Sequence, residues 1–478
     1  MAVTLTQHLA DFTAATSYSD LPHEVADDSK RVLLDSIGCA LAAVDEPRGR
    51  IAIEYAGLLG GTDESATILG SDKRSSVFGA GFANGELINA LDFDAVLPPG
   101  HVAPYVIPGA LAVAEERGAS GKELIAAVAL AHEITHRFGK SMDYLRDTKD
   151  GKTALSPVVG FSSTIFGATA AIGRLRGLSA STLAHGLGIA ATSSPVNAHR
   201  AWIAHAPSST AKYHLQAGTL AQTALTANWM AELGHRGDLQ VLDDAEVGYR
   251  RFIGTGRWAP ENLTDGLGTR WDFPAQHSYK PYPHCRILHA PLDALIEIVE
   301  THDIKPQEIE SIRVWGEGWV MEPVWLSREV EHVHDAQFSI AHGIAVGAHR
   351  ITPGRGWQDP DLVFGSSVRS LMDKVTYESH PDYVTAIEAN PSARPTRVEV
   401  TTRGRTYTAE RSFAKGSPSL DLATYATTDE LVGKFRHNAS GVLSEADTDH
   451  AVETLLNLET ATDVSTVLRA LTPSGSRR

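Results

Sequence analysis

The chain has 478 residues, 42% of them hydrophobic and 21% charged, an ordinary globular composition in a length that exceeds the roughly 250–300 residues one core can serve. A formal net charge of −16 excludes the basic face that nucleic acid requires, although a small anion needs only a few local cations. Two cysteines, Cys39 and Cys285, exclude a disulfide framework or a cysteine-rich zinc site and point to a reducing, cytoplasmic setting.

Met1 to Thr13 has neither a basic leader nor a long apolar stretch, so no secretory signal is predicted. Leu21 to Ala43 carries Val25, Val32, Leu33, Ile37 and Leu41 at helical spacing. Asn84 to Asp94 is an apolar helical run that ends in two carboxylates, Asp92 and Asp94. Pro98-Pro99-Gly100 then forces the backbone out of helix just before His101. Acids and a histidine ejected from a helix end can line a cleft and move a proton. The same pattern also suits an Asx-rich helix end followed by a surface loop.

Ser120 with Glu123 three residues later predicts a capping box and a helix through Leu124, Ala127, Val128 and Ala131. On that helix His132-Glu133-Ile134-Thr135-His136 matches HExxH, in which two histidines one turn apart hold zinc and the glutamate is general base. A metzincin would need a third histidine where Met142 stands, and short motifs arise by chance among 21 histidines. A helix with a polar face is therefore preferred, with zinc hydrolysis as the rival. Thr153 to Gly173 is uncharged and almost long enough to span a bilayer, but its Gly, Ala, Ser and Thr suit a closely packed buried helix, so no membrane contact is predicted. Further helices are predicted from Ser179 to Ala191 and from Lys212 to Leu233. His199, His205, Lys212 and His214 surround Pro207-Ser208-Ser209-Thr210, a polar loop that either binds an anion or simply caps a helix.

Asn262 to Tyr282, rich in Gly, Pro and aromatics, reads as a domain boundary. Lys280-Pro281-Tyr282-Pro283-His284-Cys285-Arg286, with His289 beyond, holds cations on a rigid turn suited to gripping carboxylates, Arg286 in a bidentate manner. Cys285 is either a nucleophile or a small residue in burial or substrate contact, the latter being preferred. Leu288 to Val299 reads as helix, Ile309 to Trp315 as a half-buried strand, and Arg397 to Thr408 as a hairpin turning at Arg403-Gly404. Helical periodicity returns after Thr427 through Leu431, Phe435, Val452, Leu455 and Leu456. No GxGxxG, P-loop or GxSxG elbow is present.

Several of these segments, in this order, resemble the MmgE/PrpD family, whose members dehydrate 2-methylcitrate, decarboxylate cis-aconitate or epimerise iminodisuccinate. The resemblance is carried by Leu34-Asp35-Ser36-Ile37-Gly38, by Ala83-Asn84-Gly85 through Leu91-Asp92-Phe93-Asp94 with His101 and Val106-Ile107-Pro108, and by Gly118-Ala119-Ser120-Gly121. It continues in Gly160-Phe161, Gly186-Leu187-Gly188, Lys280-Pro281-Tyr282-Pro283 and Ala336-Gln337-Phe338-Ser339. It implies a mainly α protein with an α+β lid: a large all-helical domain from residues 1–268 and 413–478, and a smaller lid from 269–412 inserted between them. It also implies a homodimer, an active site in the cleft between domains, and no metal or organic cofactor.

The implied activity is that of a cofactor-independent lyase on a small di- or tricarboxylate, 2-methylcitrate dehydratase-like, with decarboxylation or epimerisation as alternatives and a decayed, binding-only site as a third reading. Asp92, His101 and Lys280 match the family's active-site positions directly. Lys212 matches approximately, because an ungapped alignment puts Tyr213 there. Ser162 and His342 stand where the family has a histidine and a tyrosine, and Ala95-Val96 replaces an Asp-Thr pair. Glu133 and Arg137 match family residues, which leaves His132 and His136 where the family has no metal ligand. His101 is the implied base and Asp92 its partner. Lys280, Arg286 and Lys212 are the implied cations, His342 a proton donor, and Ser162 and Cys285 substrate contacts.

Overall fold

The apolar periodicity of the first half condenses into helices that approach one another through small residues. In the computed structural model, which describes residues 3–144, 146–153, 160–195, 203, 216–418, 421 and 423–473, these are α1 (Leu5–Ala15), α2 (His23–Ala42), α3 (Pro47–Gly60), α4 (Val77–Asn89), α5 (Ala103–Arg117), α6 (Gly121–Ser141), α7 (Thr164–Leu175), α8 (Ala180–Ser193) and α9 (Gln216–Glu232). The predicted capping box starts α6: Glu123 N donates to Ser120 Oγ at 3.3 Å, and Ser120 N donates to Glu123 Oε2 at 2.8 Å. The second part of the uncharged run becomes α7, buried among α5, α6, α8 and α9. Its small residues are needed there, since a Cβ on Gly167 would lie 2.3 Å from the carbonyl oxygen of Ala131 in α6. No described helix is long and apolar enough to cross a membrane.

Two-residue ribbons join some of these helices: β1 (Ala66–Thr67) with β2 (Arg74–Ser75), β3 (Val96–Leu97) with β4 (Gly100–His101), and β5 (Thr148–Lys149) with β6 (Lys152–Thr153). The chain then changes character. After α10 (His289–Thr301) come β7 (Ile309–Gly316), α11 (Ile340–Ala348), β8 (Val375–Ser379), β9 (Thr396–Thr402) and β10 (Arg405–Arg411). They form a sheet in the order β10-β9-β7-β8, in which β7 pairs parallel with β8 and antiparallel with β9. The predicted hairpin is present, with Thr402 opposite Arg405 and positive φ at Arg403 (49°) and Gly404 (69°), as a two-residue turn of this hand requires. Along β7 the buried Ile309, Ile312 and Val314 are separated by more exposed residues, and α10 covers β9 and β10.

The last helices return to the first layer. α12 (Thr428–Ala439) packs on α2, where a Cβ on Gly38 would lie 3.1 Å from the Phe435 ring. α13 (Glu445–Leu456) also rests on α2, and α14 (Val464–Arg469) rests on α5. The protein is thus mainly helical, with both chain ends in one helical domain and a small α/β domain between them in sequence.

Candidate active site

The segment after α4 folds back on itself. Asp92 adopts a left-handed conformation (φ 50°), tolerable for a short polar side chain, and Lys280 Nζ donates to its carbonyl oxygen at 2.9 Å. The β3/β4 ribbon then returns His101 toward the two aspartates it has just passed. Gly100 is required in that turn: its φ is 153°, and a Cβ would lie 2.1 Å from the Phe161 ring. His101 ends between both acids, with Nδ1 2.7 Å from Asp94 Oδ2 and Nε2 3.1 Å from Asp92 Oδ1. Lys280 Nζ lies 3.1 Å from the same Asp92 oxygen. Asn89 Nδ2 donates to Asp94 Oδ1 at 3.1 Å, which fixes that carboxylate from its other side. All of these side chains are buried.

A second set of contacts holds this group from behind. Lys434, on α12, donates to Asp35 Oδ1 at 2.7 Å, to the Phe93 carbonyl at 2.6 Å and to the Lys280 carbonyl at 3.0 Å. Asp35 also accepts from Ala95 N at 3.1 Å. One ammonium therefore ties together α2, the aspartate loop and the lysine loop.

In front of His101 lies a cavity of about 80 Å³ whose walls include His101 and Phe161 on the helical side and Cys285, Arg286 and Arg394 on the other. Arg146 and Tyr144 line both this space and an adjoining one of about 60 Å³. Burial pushes the Arg286 guanidinium down to about 10, and burial together with repulsion from Arg146 and Arg286 pushes Arg394 well below its ordinary value. Both guanidinium groups are thus withdrawn from water.

The structure thus brings together Asp92, His101 and Lys280, with Arg286 and Cys285 on the same cavity. It does not bring His342 or Ser162 there. His342 lies in the first turn of α11 with Nε2 3.3 Å from the Val363 carbonyl, and burial pushes it down to about 4. Ser162 Oγ donates to the Pro195 carbonyl at 2.5 Å, a local tie within the helical domain. Lys212, Tyr213, His199, His205 and His214 lie outside the described residues. Cys39 and Cys285 are both free.

The HExxH side chains are engaged elsewhere. Glu133 Oε1 pairs with Arg137 Nε at 2.7 Å, while Oε2 accepts from Asp272 N at 2.9 Å and Phe273 N at 3.2 Å. His132 Nδ1 lies 2.8 Å from the Val128 carbonyl, and His136 Nδ1 lies 3.4 Å from the Pro98 carbonyl. Among the described residues no three His, Cys, Asp or Glu side chains converge as metal ligands do. Sequence reasoning singled out Asp94 only as part of the run and assigned it no role; Arg146, Arg394 and Lys434 it passed over, for they carry no local motif.

A mainly helical domain with an inserted α/β domain, and a histidine–carboxylate–lysine group beside an arginine-lined cavity, define an enzyme-like protein suited to a small anion. Comparison with known proteins agrees: residues 7–261 match the MmgE/PrpD N-terminal domain and residues 282–460 the MmgE/PrpD C-terminal domain, and the chain belongs to that family. It is 26% identical to cis-aconitate decarboxylase of Homo sapiens, over 98% of this chain and 95% of the human protein. It is 26% identical to the Mus musculus protein of that name, over 98% and 94%, and 23% identical to that of Aspergillus terreus (strain NIH 2624 / FGSC A1156), over 98% and 96%. These relatives support an enzyme acting on a carboxylate.

Proposed function

We propose that this chain is a cofactor-independent lyase that breaks the carbon–carboxylate bond of a small di- or tricarboxylate, with His101 moving the proton at the neighbouring carbon. The observation that carries the reading is His101 set between Asp92 and Asp94, with Lys280 on Asp92, in the wall of a cavity lined by guanidinium groups. Both ring nitrogens face carboxylate oxygen, so an N–H on either one has an acceptor. As CO2 leaves, the electron pair of the broken C–C bond passes into the adjoining unsaturated carboxylate, where enolate-like charge develops. Lys280, on the Asp92 oxygen that faces His101, stabilises that charge. The Nε2 proton of His101 is delivered to the carbon and solvent restores it, while Asp94 holds the ring through Nδ1.

Loss of a hydroxyl, as in a 2-methylcitrate dehydratase, would use the same ring first as base. Decarboxylation is placed ahead of it because the relatives that span the whole chain carry decarboxylase names. The test is turnover of cis-aconitate and a panel of di- and tricarboxylates in D2O, with the single deuterium taken up by the product located by NMR. His101→Ala is expected to lower turnover by roughly 10²–10⁴-fold with an unchanged circular dichroism spectrum. Near-normal turnover in that variant would sink the assignment.

A further inference from the structure

The wall opposite His101 carries a charged cluster that the proton transfer does not use. Glu317, just after β7, is the carboxylate at its centre. Its Oε2 accepts from Arg146 Nε at 3.1 Å, from Trp319 Nε1 at 2.5 Å and from the Tyr383 hydroxyl at 3.4 Å, while Oε1 pairs with Arg394 Nη1. Arg146, which follows α6 in the helical domain, also donates to the carbonyls of Pro391 and Ala393 in the other domain. Arg286 donates to the Lys415 carbonyl at 2.7 Å and to Ser417 Oγ at 3.1 Å, and its Nε is buried without a hydrogen-bond partner among the described residues. Three guanidinium groups therefore converge on one cavity, and among the described residues the carboxylates that act on them are Glu317 and, on Arg286, Asp293, which already accepts from Tyr282 and Lys415 N. Buried cations in that excess are compensated by a bound anion or left at a penalty.

We propose that Arg394 and Arg286, with Arg146 and Glu317 holding the cluster in place, form the subsite for a second carboxylate of the substrate. The molecule turned over is then at least a dianion, bound at its remote end by the α/β domain while its reacting carbon lies at His101. This rests on the His101 reading only for which end reacts. The arrangement has a mechanical consequence: Arg146 comes from the helical domain, whereas Glu317 and Arg394 come from the other, so an anion seated among them draws the two walls together around the reacting carbon. Phe161, Ile287, Trp319 and Trp325 form the remaining wall, which suits the hydrocarbon body between two carboxylates.

Equilibrium binding to the full chain tests this independently of turnover. Calorimetry with tricarballylate, an unreactive tricarboxylate, should show binding that butyrate, a monoanion of similar length, does not reproduce. Arg394→Met should weaken tricarballylate roughly 10- to 100-fold, as expected when charged hydrogen bonds are lost. Arg394→Lys should recover part of that loss, and Arg286→Met, as a second variant should the first not fold, should weaken binding over the same range. His101→Ala should keep tricarballylate binding within about threefold. The inference is overturned by equal affinity for butyrate, by no detectable binding of tricarballylate, or by an affinity unchanged in both arginine-to-methionine variants. Those results leave the His101 reading standing if His101→Ala is still inactive in the deuterium assay. An active His101→Ala with arginine-dependent binding overturns the reading of His101 and leaves the subsite.

Discussion

If His101 moves the proton as proposed, Asp94 sets which of its two nitrogens is left to do so. With Asp94 accepting from Nδ1, the Nε2 edge is the one turned toward Asp92 and Lys280. Asp94→Asn can present an N–H to Nδ1 and so reverse the tautomer that the carboxylate enforces. The expected result is a fall in kcat of roughly 10²–10⁴-fold with little change in KM, measured by steady-state kinetics on a variant of unchanged fold. An unaltered kcat would remove Asp94 from the machinery. Part of this site was legible in the sequence, because the two acids, the Pro-Pro-Gly turn and His101 lie within ten residues of one another. Which acid meets which nitrogen was not legible, since that depends on how the β3/β4 ribbon rotates the ring. Arg394 and Lys434 were beyond local reading for a different reason: each reaches the aspartate loop or its cavity from some 300 positions further along the chain, and no spacing rule connects them.

At the level of elements, α6 shows how a motif can match in sequence and serve another end. Glu133 and Arg137, one turn apart and both almost fully buried, form an ion pair whose remaining hydrogen bonds run to the segment leading out of the helical domain. Arg137 donates to the carbonyls of Asp265 at 2.8 Å and Arg270 at 3.0 Å, while Glu133 accepts from the backbone of Asp272 and Phe273. The pair thus fastens the Gly- and Pro-rich connector, read as a boundary from composition, onto α6. Glu133→Gln keeps the size of the side chain but leaves the Arg137 guanidinium buried without its counter-charge. Breaking such a pair costs about 3–5 kcal/mol, so chemical denaturation should give a stability lower by that order. Dialysis of the wild-type protein against a chelator should leave turnover unchanged. Turnover that disappears on chelation and returns with zinc would restore the hydrolase reading of HExxH.

Over the whole molecule, periodicity and composition reveal which segments are helix or strand, and the change near residue 262 shows where one architecture gives way to another. They cannot show that α12 comes home to α2, because an apolar face does not name its partner; the family resemblance supplied that. Close packing in both domains also buries histidines, and this gives the fold a pH dependence. Burial pushes His132 down to about 3 and His136, His284 and His342 down to about 4, against an ordinary value of 6.5. Above pH 6.5 these rings are neutral whether the chain is folded or not. Below it the unfolded chain binds protons that the folded chain refuses, so the contribution of these rings declines as pH falls from 6.5 toward 4, and that of His132 on toward 3. Glu46, which burial pushes up to about 7, works the other way, because its folded form keeps a proton that the unfolded form loses above about 4.5. Asp35, Glu133, Asp243 and Asp293, also raised by burial, act in the same sense as Glu46, but the unfolded chain's histidines take up their protons within this very interval, so the rings are expected to prevail. Scanning calorimetry at constant ionic strength should give a lower Tm at pH 5 than at pH 7. His342→Gln, which cannot take up a proton, should reduce that difference. A Tm that stays level or rises between pH 7 and pH 5 would mean that these rings already carry their protons in the folded state, and that the interior around them is wetter than their burial implies.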